Sequence, residues 1–451
     1  MAQVNLLALP TEVVHEVSSI LGPDDVLALR LSCRQMAEKT SLCFQARFFR
    51  TRHVMLEKES LENLVAISHD AVLGRAVQGV ELCIDHLIQP EHYMSREELF
   101  DLGINDEYDI VRRLDDEPVL EGDDRWESIC RGYGDEWNKQ GKFFSQKLHM
   151  SLLAEALSGL ENCTRVGIDD TTRPWGAFRL GRRAGTLPSR FVSDLLPNSM
   201  IHAAVSIRTL LYAVVQSRLP IEQMFIEFGD MMAGCTCVTP TMLLLPSPLE
   251  MAVKSRLETV SNLRLIVNPT PSHAGFDPET INSLPATDPI RGESSGWVAN
   301  LLRFLGLFKA LSDLSLCFMT RDERHQFPEL SQLLFIPGLQ ALRLEYLDCT
   351  AGELTGLLKK HQETLRVVGL ESVNLIGGGL DSWLCVLRSL RHELSVEAVY
   401  LGSCFGEDGE GQVTIKLPSQ LRADNGQEID QLAIDLSTLQ QDNEKEKSED
   451  L

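Results

Sequence analysis

The chain has 451 residues, with 42 Lys and Arg against 65 Asp and Glu, a formal net charge of −23 and a pI near 4.9. That balance excludes nucleic-acid binding over a broad face, which needs basic surface, and it repels the anionic cytoplasmic leaflet of a membrane. A hydrophobic content of 43% with mean hydropathy −0.07 describes a folded protein and not a disordered one.

No window supplies the roughly 18 consecutive apolar residues of a membrane span. The richest runs, such as Met242 to Leu245, stop at proline. The first residues carry no basic region and no apolar run of signal-peptide length. The 11 cysteines, an odd number scattered from Cys33 to Cys404, fit buried thiols in a reducing compartment, so cytoplasm and nucleus are the expected locations.

In chain order, Leu9-Pro10-Thr11-Glu12 opens a helix, proline near the first helical position being pre-organised in φ. Val13, Val14, Val17 and Leu21 follow as one apolar stripe, and Gly22-Pro23 ends it. Asp24-Asp25 caps a second helix, with Val26, Leu29 and Cys33 on one face and Leu27 and Leu31 on another. A third short helix runs from Ser41 through Phe48-Phe49. A unit this small cannot bury its apolar surface alone, so either the rest of the chain or a partner covers the second face.

Leu9-Pro10-x-Glu12-Val13-Val14, then Leu21, then Asp25-Val26-Leu27-x-Leu29-Arg30-x-x-Cys33-Arg34 resembles the F-box over roughly forty positions. Met36 departs from the large aromatic residue many members carry there, and still fills an apolar slot.

The remainder repeats. Leu339-x-x-Leu342-x-Leu344-x-x-Leu347-x-Cys349 recurs 26 residues on as Leu365-x-x-Val368-x-Leu370-x-x-Val373-x-Leu375. A further step of 26 lands on Leu394, Val396, Val399 and Leu401, and Leu311-x-x-Leu314-x-Leu316 precedes the Leu339 unit by 28. Leu-x-x-Leu-x-Leu at a period of about 20–29 is the leucine-rich-repeat signature. Between strands lie amphipathic helices: Val298, Leu301, Leu302, Leu305 and Phe308; Leu354, Leu357, Leu358 and His361 behind a Thr350/Glu353 capping box; and Trp383, Leu384, Leu387 and Leu390. Upstream strands are expected at Val80–Ile84, Val166–Ile168, Met224–Ile226 and Leu263–Leu265, with helices holding Leu61, Leu64 and Val65; Leu152, Ala156 and Leu157; and Ile201, Val205, Leu210 and Val214. Leu347 and Val373 stand where repeats usually carry asparagine, so the asparagine ladder is expected to be absent.

The expected fold class is therefore α/β: an N-terminal three-helix F-box over 1–50, then an irregular leucine-rich-repeat-like solenoid of strand–helix units over 51–420. Two insertions interrupt it, an acidic one at about 91–141 and a Pro-rich loop at about 268–292; an acidic, disordered tail spans 421–451. Glu97 to Glu136 alone holds 15 acidic and four basic residues.

The chemical constellations are sparse. Cys235-Thr-Cys237 lacks the second ligand pair of a zinc knuckle, Gly377-Gly378-Gly379 lacks the ending of a phosphate loop, and the acidic runs lack calcium-loop spacing. No metal, no cofactor and no catalytic nucleophile context is indicated, and an enzyme is not expected. Arg173, Arg179, Arg182, Arg183 and Arg190 form a locally basic segment with no acid between Asp170 and Asp194, interleaved with Trp175 and Phe178. Arginine and aromatics are enriched at interface hot spots, and a phosphorylated substrate segment would want such a cluster, which makes Arg179, Arg182 and Arg183 the substrate-binding candidates. The competing reading pairs them with the acidic insertion of the same chain.

The F-box resemblance implies a Skp-family adaptor as partner and, through it, a cullin. Leu9, Pro10, Val13, Val14, Val17, Leu21, Leu27 and Leu29 would then form the adaptor-facing and internal apolar surfaces. The implied role is the substrate-recognition subunit of a Skp–cullin–F-box ubiquitin ligase, working by proximity and contributing no catalytic group. The alternative is a leucine-rich-repeat scaffold acting outside a ligase.

Overall fold

The computed structural model describes residues 6–88, 124–185, 187–190, 199–228, 238–269, 287–291, 296–318, 327–407, 413–416 and 421–425, with 427–429, 431 and 434. The expectations for the acidic stretch before residue 124, the Cys235–Cys237 pair, the Pro-rich loop between 270 and 286 and the tail beyond 434 lie outside these residues.

Four α-helices come first, Thr11–Ile20 (α1), Pro23–Ser32 (α2), Arg34–Lys39 (α3) and Ser41–Phe48 (α4), after a 3-10 turn at Leu6–Ala8. The sequence pattern predicts three; α3 is the addition, six residues too short to show a period. The Asp24-Asp25 cap is corrected: Gly22 is the N-cap of α2, and both aspartates sit in its first turn, where the helix dipole favours them. The α1 stripe divides, with Val14 buried and Val13 exposed.

Beyond residue 50 the chain is mixed α/β. Nine strands lie parallel in one sheet: Thr51–Met55 (β1), Gly79–Cys83 (β2), Arg165–Asp169 (β3), Gln223–Glu227 (β4), Asn262–Val267 (β5), Asp313–Phe318 (β6), Ala341–Glu345 (β7), Val367–Glu371 (β9) and Ala398–Gly402 (β11). Their spatial order is their chain order, and Leu421–Ala423 (β14) closes the sheet antiparallel to β11. Between them run helices Lys58–His69 (α5), Leu73–Ala76 (α6), Asp124–Ser145 (α7), Leu148–Ser158 (α8), Trp175–Ala184 (α9), Ser199–Ser217 (α10), Ser247–Arg256 (α11), Trp297–Leu305 (α12), Phe327–Leu333 (α13), Ala351–Lys360 (α14) and Gly379–His392 (α15). Right-handed crossovers between successive parallel neighbours always return on the same side, so most helices form one layer. Within that layer α5, α8, α10 and α11 pack in succession, as do α13, α14 and α15.

The strand period of two decides the core. Val54, Leu82, Ile168, Ile226, Leu265, Leu316, Leu344, Leu370 and Leu401 all point into the helix layer and share one core with residues such as Leu64, Leu157, Leu210 and Trp383. All four upstream strands expected from sequence are present. Helix α10 is long and apolar enough to cross a membrane by length and composition, and two-thirds of it is buried in this core.

The other face of the sheet carries the alternate residues. There ion pairs cross from strand to strand: Glu81 with Arg165 at 2.9 Å, Glu227 with Arg264 at 2.9 Å, and Asp313 with Arg343 at 2.6 Å, and the His53 ring lies 3.0 Å from Glu81. At its β1 end this face is covered by α9 and α7, where Met55, Leu87, Ile88, Tyr133, Ala177, Leu180 and Ala184 form a second, smaller core.

Three further differences from the sequence reading have physical causes. The third repeat does not follow at 26: Val399 and Leu401 pair with Val368 and Leu370, an offset of 31, and four of the five extra residues are the greater length of α15, 14 residues against 10 in α14. Leu347 and Val373 do face inward, and the residues after them build a second short sheet from Asp348–Cys349 (β8), Asn374–Leu375 (β10), Phe405–Glu407 (β12) and Val413–Lys416 (β13). Strands β8, β10 and β12 are each entered through a left-handed residue, Tyr346, Ser372 and Ser403 respectively. Finally, residues 421–423 are not tail but strand β14, and Ile429 beyond them is buried.

Candidate interaction surfaces

The N-terminal helices hold together on a few residues. Val14, Val26, Met36 and Cys43 are buried, and Thr40 bonds back to the Met36 carbonyl at 2.7 Å. Cations tie the loop ends: Arg30 donates to the Ala37 carbonyl at 2.7 Å while its guanidinium lies 3.8 Å over the Phe44 ring, and Lys39 donates to the carbonyls of Leu7 and Leu9. Arg47 reaches the Leu21 carbonyl.

What these helices leave outside matters more. Of fifteen large hydrophobic side chains exposed among the described residues, seven lie within the first 42: Leu6, Leu7, Val13, Ile20, Leu27, Leu31 and Leu42. Ile20 is 84% and Leu31 87% exposed. The main contact of this unit with the α/β body runs through α4 against α6, with Arg52 donating to the Phe48 carbonyl at 2.7 Å. The rest of the described chain therefore leaves the second apolar face of the helices uncovered.

Of the residues expected to form the adaptor-facing and internal surfaces, Pro10, Val13 and Leu27 are exposed, Leu9, Val17, Leu21 and Leu29 are half-buried, and Val14 is internal. The sequence groups Leu31 with Leu27 on the second face of α2 without showing that it faces outward, and it misses Ile20, which stands at the end of α1 outside the apolar spacing.

The arginine segment does not form one cluster. Arg173 is buried against Asp85, Nε to Oδ1 3.1 Å. Arg179 stacks 4.1 Å over the Trp175 ring and pairs with Glu59 at 3.4 Å. Arg183 is held by three carboxylates, Glu57 at 2.9 Å, Glu59 at 3.0 Å and Glu136 at 3.1 Å. Burial opposes its charge, yet those glutamates hold the guanidinium above its ordinary pKa. The donors of Arg183 are thus engaged inside the chain, one of them by Glu136 of the stretch expected as the acidic insertion. Of the three, Arg179 and Arg182 are exposed on α9 and Arg183 is half-buried.

Local sequence explains the convergence at Arg183. Glu57 is the N-cap of α5, accepting from the Ser60 amide at 2.9 Å, and burial raises its carboxyl pKa against that bond. Gly176 lets α9 approach α5, because a Cβ there would come within 2.9 Å of the Ser60 Cβ. Glu136 projects from α7: Asp124–Ser145 is helical, and Tyr133 is buried with its hydroxyl donating to the Ile88 carbonyl at 2.8 Å.

Among the described residues no group of three His, Cys, Asp or Glu side chains is arranged to hold a metal. Gly377 and Gly379 take positive φ and lead into α15, a repeat turn. No protein-family model matches the chain, and no curated protein matches it.

Proposed function

We propose that the chain is the substrate-recognition subunit of a Skp–cullin–F-box type ubiquitin ligase. Residues 6–48 act as the F-box, and the strand–helix array behind them is a leucine-rich-repeat-type solenoid that holds a protein substrate. The observation that carries this reading is that large hydrophobic side chains stay exposed on α1, α2 and α4, Val13 and Leu27 of the motif among them. Large exposed apolar patches on a folded chain mark sites where a partner docks. The in-order parallel sheet supports the solenoid half, since each strand–helix unit contacts its neighbours and can add or lose length without disturbing the others. Catalysis in this reading belongs to a conjugating enzyme brought near the substrate's lysines by the assembly.

The test is a pulldown of a Skp adaptor by the intact chain beside a Leu9→Ala/Pro10→Ala variant. Capture by the intact chain and loss in the variant supports the receptor role. Failure of the intact, folded chain to capture any adaptor moves the scaffold alternative to the front.

A further inference from the structure

On the sheet face away from the helix layer, the last outward residues of successive strands form one row. It runs Asp169 on β3, Glu227 on β4, Ile266 on β5, Cys317 on β6, Glu345 on β7 and Glu371 on β9. Asp169 stands beside Glu227 in register, and Glu345 beside Glu371, so two pairs of like charge flank Ile266 and Cys317. Beyond the end covered by α7 and α9 the described residues leave this face open, with the Arg264 and Arg343 side chains 53% and 41% exposed. The charges there do not cancel. Between β3 and β9 each outward arginine already has a carboxylate: Arg165 has Glu81, Arg264 has Glu227 and Arg343 has Asp313. No described Lys, Arg or His lies within ion-pair distance of Asp169, Glu345 or Glu371. Asp169 accepts from the Thr171 amide and hydroxyl, and Glu345 from the Ser315 hydroxyl at 3.4 Å. Burial raises the Glu227 carboxyl above its ordinary pKa although Arg264 opposes it, and burial and then Glu371 raise Glu345.

We propose that this open sheet face docks a basic segment of a partner protein. Its lysine or arginine side chains meet the two acidic pairs, and apolar side chains between them lie on Ile266 and Cys317. The centres of the two pairs are four strand steps apart, roughly 19 Å at about 4.8 Å per step. A chain extended across the strands at about 3.3 Å per residue covers that distance in about six residues. Side chains two and four residues beyond the first basic one share its side of the segment and fall over β5 and β6. Charge complementarity of this kind sets partner choice and on-rate. An incoming cation also removes a like-charge repulsion that the free chain retains. In naming a substrate class, this rests on the receptor reading above.

The probe is a fluorescent peptide with arginine first and seventh and leucine third and fifth, titrated into the full chain and followed by anisotropy. Arginine is chosen because its fork binds carboxylates bidentately. Control peptides carry Glu for both arginines, or place the two arginines side by side. Glu345→Gln/Glu371→Gln removes the charge of one pair, and Glu371→Lys reverses its exposed member alone. Glu161→Gln/Glu363→Gln makes the same change in net charge at exposed positions outside the row. The expected result is binding that weakens with salt and is about tenfold or more weaker for both row variants and both control peptides. Glu161→Gln/Glu363→Gln should bind like the parent. Both row variants should keep or raise the thermal midpoint, because each removes a like-charge repulsion. No binding of the first peptide overturns the site, as does equal binding by the row variants. Equal loss in Glu161→Gln/Glu363→Gln also overturns it, by reducing the effect to diffuse attraction to an acidic chain. Adaptor capture is scored separately, so the receptor reading fails only if the intact chain captures no adaptor, whatever the peptide does.

Discussion

Asp85 and Arg173 form an ion pair at 3.1 Å with side chains 1% and 6% exposed, joining the end of β2 to the segment between β3 and α9. Replacing Arg173 with Met leaves a buried carboxylate without its counter-charge. We expect a loss of about 3–5 kcal/mol, whereas Asp85→Leu with Arg173→Met recovers most of it, because a buried pair can be exchanged for apolar groups at little cost. Urea denaturation at neutral pH measures both; equal losses in the single and double variants would show that the two groups are not coupled.

The same corner holds His86, stacked on His202 at 4.6 Å, with Phe144 set between His202 and His149. Burial pushes His86 and His149 down to about 4, and burial together with the neighbouring imidazoles lowers His202 well below the ordinary histidine range. Their folded pKa values lie below the unfolded value near 6.5, so between pH 6.5 and 4 the unfolded chain binds protons that the folded chain refuses. Stability is therefore fully present above pH 6.5 and is lost as pH falls, by up to about 1.4 kcal/mol per pH unit for a buried site such as His86. His202→Phe should flatten the dependence of the denaturation midpoint between pH 6.5 and 5 relative to the parent; an unchanged slope would remove these histidines from the account.

Ile20 and Leu31 contribute almost nothing to the fold, being 84% and 87% exposed. Ile20→Asp and Leu31→Asp should change stability by no more than about 0.5 kcal/mol. If the uncovered apolar face binds the adaptor, each should reduce adaptor capture by about tenfold or more. Val26→Asp, at a position with no exposure, should instead unfold the helical unit, which separates a folding defect from a binding defect.

Gly167 lies directly beneath the Phe225 ring, where a Cβ would come within 2.3 Å of the ring carbons, and Arg165 covers the same ring at 4.6 Å. Gly167→Ala should cost about 1–3 kcal/mol through overpacking. Phe225→Ala makes room, so the double variant should be less destabilised than the sum of the singles; simple additivity in a double-mutant cycle would refute direct steric contact.

The parallel sheet was legible in the sequence because inward residues of each strand are aliphatic and spaced by two, as at Val80/Leu82 and Leu342/Leu344. The Thr350–Glu353 capping box was legible for the same reason: its two hydrogen bonds, 2.9 Å and 3.2 Å, are local to four residues. The register of β11 was not, because a fixed period cannot anticipate a longer α15, and Leu394 and Val396 offered an equally apolar false match. Strands β8 and β10 escaped because two residues carry no period. On α9, the basic run was visible, but the carboxylates that claim Arg183 lie 47 and 126 residues away, and Arg173's partner, Asp85, lies beyond any local pattern. Charge along a chain shows which groups are available; only the fold shows which are spent.

Because spatial order equals chain order across the nine parallel strands, position along the sheet works as a ruler. The eight steps from β1 to β11, at about 4.8 Å each, span roughly 38 Å measured across the strands. The N-terminal helices are tied at the β1 end, and α7 and α9 cover that same end. A partner bound at the β1 end would sit near the origin of the scale, and one bound at β9 or β11 would be carried several nanometres further out. Lengthening a loop changes what a strand presents without moving its mark, so reach and recognition can vary independently in this architecture.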